Sequence, residues 1–264
     1  MLKTKPHATV VRKSVLLLGL MVFCGCSAAP VKKEPQIPAK RPVSEYVKAD
    51  VTYAVKAYDP WEGFNRRIYK FNAKFDQYIF LPVIRGYEFI TPGFVQTAVT
   101  NFFNNLWEVR NLMNSLFQLK GQKFANTIGR IFVNTTVGFL GIQDPATAVG
   151  LAKANEDFGQ TLGHYGVGPG PYLVLPVLGP SGLRDTGGLI VDTVAYSLMT
   201  NAIINHAFDM STGDEDKLKY GLSLLNAIDR RRNLSFRYYQ TGSPFEYDLV
   251  RMLYLTKRQL LIAD

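Results

Sequence analysis

The chain opens with an apolar run, Val15 to Gly25 (VLLLGLMVFCG), preceded by Lys3, Lys5, Arg12 and Lys13 with no acid among them. A basic start, a short apolar core and the small residues Gly25–Cys26–Ser27 at its exit describe a secretory signal peptide over residues 1–25. The run falls short of the about 20 apolar residues that a spanning helix needs. Residues 26–57 carry Pro30, Pro35, Pro38 and Pro42 among scattered charges and few large apolar groups, the pattern of a flexible tether. A coil of that length reaches roughly 30 Å. From residue 58 the pattern tightens, and one continuous domain without internal repeats is expected over 58–264.

Within that domain the apolar period is helical. Phe64, Ile68, Phe71, Phe75 and Ile79 recur every three or four residues, and Pro82 is expected to end the helix. Further helices are expected at about 93–119, 121–137, 182–207 and 214–239. Asp144-Pro145 places a capping residue before a proline suited to a first helical turn. Ser243 to Glu246 makes a capping box ahead of Leu249, Met252, Leu253 and Leu260. Alternating patterns are scarce. Tyr172 to Leu178 is the best strand candidate, interrupted by Pro176. The expected fold class is all-α, with no spanning segment in the domain.

Two features change that picture. Fifteen of the sixty residues from 58 to 117 are aromatic, or 25%, against 12% for the whole chain. Rings can fill a core, but this density also suits helices lying at a membrane–water interface. The second feature is a stripe of amides. On one helix over 101–117, Asn101, Asn104, Asn105, Glu108, Asn111 and Ser115 share an arc, opposite Phe102, Phe103, Leu106, Val109, Met113, Leu116 and Phe117. A solvated face usually carries Lys and Glu. This one is nearly uncharged and rich in donors and acceptors, so Asn101, Asn105, Glu108 and Asn111 are candidates to line a wet path for polar lipid heads. An ordinary inter-helix face is the competing reading.

Charge and enzyme motifs add little. The formal charge of +9 falls to +5 without residues 1–25, which hold four bases and no acid. That excess suits anionic head groups as well as nucleic acid, and no nucleic-acid partner is expected. Beyond residue 25 only His164 and His206 remain, which argues against a metal site, and no cofactor is expected. Gly179-Pro180-Ser181-Gly182 is not a nucleophile elbow, and Gly166, Gly168 and Gly170 sit in a proline-flanked loop without the strand–helix context of a dinucleotide site. Glu156-Asp157-Phe158-Gly159 lacks the other elements of a kinase. The chain reads as a non-enzyme.

Phe23-Cys24-Gly25-Cys26 resembles a bacterial lipobox, with Phe23 where Leu is usual, and this makes Cys26 the lipidated residue. A disulfide between Cys24 and Cys26 is disfavoured by the single residue between them. Ser27, where Asp would signal inner-membrane retention, implies the outer membrane, periplasmic side.

Three longer segments resemble the VacJ/MlaA family of outer-membrane phospholipid-transport lipoproteins. They are Asp59 to Asn72, Asn134 to Ala146, and Glu156 to Asp185 (EDFGQTLGHYGVGPGPYLVLPVLGPSGLRD). The resemblance implies a ring-like helical domain lying in the inner leaflet of the outer membrane. Its amphipathic channel would take phospholipids from the outer leaflet. It implies association with a trimeric outer-membrane porin and delivery of lipid to a soluble periplasmic carrier. By the same resemblance, Phe71 and Asn72 end a first helix that helps gate the channel. Gly159 to Gly170 is expected to shape a tight loop, and Asp157, Arg184 and Asp185 to make structural ion pairs. The competing class is a porin-associated structural lipoprotein that moves no lipid.

Overall fold

The computed structural model describes residues 58–207 and 212–264, so the signal segment, the tether and Cys26 lie outside the described residues. Helices dominate: α1 Glu62–Phe75, a π turn at Asp76–Phe80, α2 Leu81–Ile90, α3 Gly93–Phe117, α4 Gly121–Thr136, α5 Pro145–Ala148 and α6 Phe158–His164. A hairpin follows, β1 Tyr172–Leu175 and β2 Gly179–Gly182, then α7 Leu183–Ala207, α8 Thr212–Arg232 and α9 Glu246–Ala263. The all-α class holds, with one two-stranded antiparallel hairpin where the strand candidate stood.

The first helix does not end at Pro82. Leu81 donates its N–H to the Asp76 carbonyl, five residues back, which widens the helix by one residue just before the proline. Pro82 then occupies the first turn of α2, where a missing N–H is tolerated. The Asp76 carboxylate at this turn is clasped by Arg231, at 2.5 Å from Nε and 2.6 Å from Nη2.

Burial along α1 inverts the expected amphipathicity. Asn65, Tyr69, Asn72 and Ala73 face inward, as does Asp76 at the start of the π turn, while Phe64 and Phe71 are exposed. The two asparagines, two turns apart, serve the free edge of β1 as a neighbouring strand would. Asn65 donates to Tyr172 O (3.0 Å) and accepts from Val174 N (2.9 Å). Asn72 donates to Leu175 O (2.9 Å) and accepts from Val177 N (2.7 Å). The strand stops at Leu175, and Val177 turns the chain with φ of 67°.

Behind the hairpin lies a core of Tyr69, Tyr172, Val174 and Tyr247, flanked by Tyr238, Tyr239 and Tyr254. Tyr69 meets Tyr238, Tyr239 and Tyr247 edge-on at 5.0, 5.7 and 5.7 Å between ring centroids, the favoured aromatic geometry. This packing explains two further departures. Helix α8 ends at Arg232, short of 239, because the Arg231 guanidinium takes the carbonyls of Leu234 and Phe236 and bends the chain toward Tyr69. The expected capping box is not formed either. Ser243 Oγ accepts from Phe245 N, and the Glu246 carboxylate turns inward to accept from Tyr69 OH and Tyr239 N.

Asp144 caps α5 as expected, accepting from Thr147 N at 3.2 Å. The glycine-rich segment begins as helix α6 rather than as a loop, because Gly159 lies against Gly188 of α7; a Cβ on Gly188 would stand 2.3 Å from Gly159 N. Leu183–Asn205 of α7, with mean hydropathy 1.3, is long and apolar enough to cross a membrane by length and composition, which the sequence reading did not anticipate. Its charged residues, Arg184, Asp185 and Asp192, are all turned into the protein.

Candidate functional site

Helix α3 carries the expected stripe, and the structure presses it against α4 and the segments that follow. Glu108, fully buried, accepts from Arg130 Nε at 2.7 Å and from Asn111 Nδ2 at 2.9 Å. Arg130 reaches on to both Asp144 oxygens (3.1 and 3.0 Å), Thr147 Oγ1 and the Leu151 carbonyl. Asn111 Oδ1 accepts from Glu156 N. Asn105 donates to Thr135 Oγ1 and Asn101 to the Ile142 carbonyl. Gly141, at φ 87°, leaves room for the Asn105 side chain, which a Cβ there would strike at 2.5 Å. Desolvation would raise the Asp144 pKa, but bonds from Thr147, Asn134 and Arg130 outweigh it and hold the carboxyl at about 2. Glu108 and Asn111 are therefore buried bracing, and Asn101 and Asn105 are half-buried along the same seam.

The other face of α3 is open. Leu106, Val109, Met113 and Phe117 line a pocket of about 260 Å³, closed on the far side by Val191, Ala195 and Met199 of α7. Arg110, Asn114, Asp192 and Tyr196 supply its polar atoms, and none of the four stripe candidates lines it. Whole small-molecule sites run to about 300–1,000 Å³, so this space suits part of an apolar ligand. Asn114 donates to Asp192 Oδ1 (3.1 Å), and Asp192 Oδ2 accepts from Phe158 N (3.0 Å), which fixes the floor of the pocket.

The sequence reading did not single out Arg110, Arg230 or Tyr196. Trp107 stacks on Tyr196 at 4.4 Å and 13°, and the guanidinium carbons of Arg110 and Arg230 lie 4.9 and 5.0 Å from the same indole. The available signal was a tryptophan and an arginine three apart on the predicted helix. It could not show that Arg230 would join them from 120 residues away.

Phe71 and Asn72 are placed differently from each other. Asn72 is buried and latches the hairpin, whereas Phe71 is exposed and packs beside Phe75 at 5.8 Å. Asp157 caps α6 and takes Arg258 through two bonds of 2.6 and 2.8 Å, and Arg258 also reaches Asp185 at 2.9 Å. Burial alone would raise the Asp157 pKa; Arg258 dominates and brings it to about 2. Arg184 pairs with Asp185 at 2.8 Å.

Set against known proteins, residues 57–261 match the family model described as MlaA lipoprotein. The intermembrane phospholipid transport system lipoprotein MlaA of Escherichia coli K12 is 33% identical over 190 residues, 69% of this chain and 65% of that protein. Its counterpart in Haemophilus influenzae is 28% identical over 209 residues, 78% of this chain and 80% of that one. An uncharacterised protein of Rickettsia conorii is 37% identical over 198 residues, 75% of each chain. A solved structure concerned with the structural basis for maintenance of bacterial outer membrane lipid asymmetry superposes with a TM-score of 0.57. It is 29% identical and covers 78% of this chain and 100% of that one.

Proposed function

The chain belongs to the MlaA lipoprotein family, and on that premise we propose that it removes phospholipids from the outer leaflet of the outer membrane. Cys26 is its lipid anchor and residues 26–57 its tether, and the helical domain lies as a ring in the inner leaflet on the periplasmic side. A trimeric outer-membrane porin holds it in place, and a soluble periplasmic carrier receives the lipid. No covalent step is required, so the protein acts as a conduit and not as an enzyme.

The observation that carries this reading is the inverted burial. Among the described residues, twenty-two polar or charged side chains are buried against eleven apolar ones, while Phe64, Phe89, Phe94, Ile190 and Leu198 are exposed. In water so much exposed apolar surface is costly, whereas in lipid the polar groups must be satisfied internally. A phospholipid moving through such a body meets the apolar face of α3, and the Glu108–Arg130 seam keeps that helix rigid. Asn101, Asn105, Glu108 and Asn111 thus support the path from behind. Asn72 gates by holding the hairpin to α1, with Phe71 facing the apolar surroundings.

A porin-associated lipoprotein without transport would share the seam, but it has no use for an apolar pocket with a charged end. The test is outer-leaflet phospholipid in intact cells, measured with an enzyme that acts only on surface-exposed lipid. Deletion of the gene should raise it, and the intact gene but not Cys26→Ala should reverse the rise. Unchanged lipid with altered porin assembly would replace transport by the structural reading.

A further inference from the structure

The charged end of the pocket has a chemistry that the transport reading leaves unused. Arg110 lines the pocket and Arg230 approaches from α8, and both guanidinium carbons lie within 5.0 Å of the Trp107 ring. Neither makes an ion pair with a described carboxylate. The Arg110 guanidinium donates one long hydrogen bond, of 3.4 Å from Nη2 to Asn111 Oδ1, and the Arg110 Nε is shut off from solvent without a hydrogen-bond partner. The indole Nε1 of Trp107 is shielded and unpartnered in the same way. Asp192, the carboxylate lining the pocket, is already engaged by Asn114 and Phe158 N.

Two cations brought together in a low-dielectric corner repel each other, and shielded donors without acceptors cost free energy. The Arg230 pKa is drawn below its ordinary value, first by desolvation and then by Arg110, with only the Tyr196 phenol opposing. Guanidinium stays charged even so, and its planar fork suits phosphate oxygens. An anion placed beside the two arginines would relieve the repulsion and offer acceptor oxygens to the guanidinium donors. The apolar pocket continues from that point, which favours an anion carrying an apolar chain.

We propose that Arg110 and Arg230, gathered over Trp107 at the end of the pocket, bind a phosphate group. This rests on the transport reading for its source: the phosphodiester of a phospholipid whose acyl chain enters between α3 and α7. Tyr196 forms the wall on which the phosphate end of the lipid rests, with Trp107 stacked against it, and Leu106, Met113 and Met199 receive the start of the chain.

The test uses the full lipidated chain in amphipol, titrated calorimetrically with three probes. These are dihexanoylphosphatidylglycerol, dihexanoylglycerol (the same chains without phosphate) and inorganic phosphate. The phospholipid should bind more tightly than either part alone. Arg110→Gln and Arg230→Gln should each weaken it about tenfold, with dihexanoylglycerol unaffected; Arg230→Lys should lose less, and the exposed Arg67→Gln should lose nothing. Thermal unfolding of each variant establishes that it is folded. Unchanged phospholipid affinity in both glutamine variants overturns the site and leaves the transport reading standing. Arginine-dependent binding of inorganic phosphate as tight as that of the phospholipid keeps the phosphate site and overturns its lipid source. No binding of any probe to the unmodified chain overturns the site and the transport reading together.

Discussion

The end of the molecule where the hairpin meets α1 and α9 gives each buried charge a partner, whereas at the pocket between α3 and α7 the one lining carboxylate, Asp192, is bonded to Asn114 and Phe158 N, and Arg110 and Arg230 make no ion pair with a described carboxylate. At the hairpin end, Arg251 meets Asp59 at 2.9 Å, Arg66 takes both oxygens of Asp248, and Glu246 accepts from Tyr69 OH. The α3–α4 seam follows the same rule through Glu108, Arg130 and Asp144. At the pocket, Arg110 and Arg230 share one indole, and neither makes an ion pair with a described carboxylate. Matched charge is scaffold, because removing either member strands the other in low dielectric. Unmatched charge beside an apolar cavity is what the proposed phosphate site rests on.

The contrast can be broken most forcefully in the seam. Arg130→Met leaves the Glu108 carboxylate buried without its cation, held only by the Asn111 amide, and should cost about 3–5 kcal/mol, enough to abolish folding in a marginal protein. The double variant Arg130→Met/Glu108→Leu should recover much of that loss, as read by denaturant unfolding in detergent. Failure of the pair to recover would mean that the seam is not a two-partner unit.

At the hairpin, Asn65→Ala and Asn72→Ala each orphan backbone groups of the β1 edge, and each should cost about 1–3 kcal/mol. Asn72→Ala should in addition speed amide exchange at Val177, whose N–H it holds at 2.7 Å.

Acid sharpens the comparison. Asp144 and Asp157 are both held at about 2 in the folded state, below the ordinary carboxylate value of 3.8. Their contribution is complete above the unfolded value and is lost as pH falls from about 4 through about 2. Melting temperature should fall across that window, and Asp157→Asn should flatten the fall. An unaltered fall in that variant would remove Asp157 from the account.

The smallest effect is expected at the pocket. Arg230→Gln relieves a like-charge repulsion and should leave stability within about 0.5 kcal/mol or raise it slightly. A large loss would show that Arg230 is scaffold after all.

The helical period of residues 64–79 and 101–117 was plain in the sequence, as were the ends of α4 and α7 to within a residue or so, the Asp144 cap and the strand at Tyr172. The candidate site was only half legible. The stripe on α3 was visible as an arc of amides, but its destination was a seam with α4, and the pocket lay on the apolar side of the same helix. Arg110 and Arg230, 120 residues apart, carried no local signal, because a cation's role depends on which carboxylates approach it.

Local chemistry thus settled where the chain is helical and which residues share a face, since period and capping act within a few residues. Which face turns inward was beyond it, because an amphipathic helix buries either side according to what surrounds it. Here the tertiary structure turned Asn65, Asn72 and Glu108 in and Phe64 and Phe71 out. That choice rests on partners far along the chain: the β1 edge for the asparagines and Arg130 for the glutamate. Only when those partners are brought together can buried polar groups be satisfied, which leaves the apolar faces exposed.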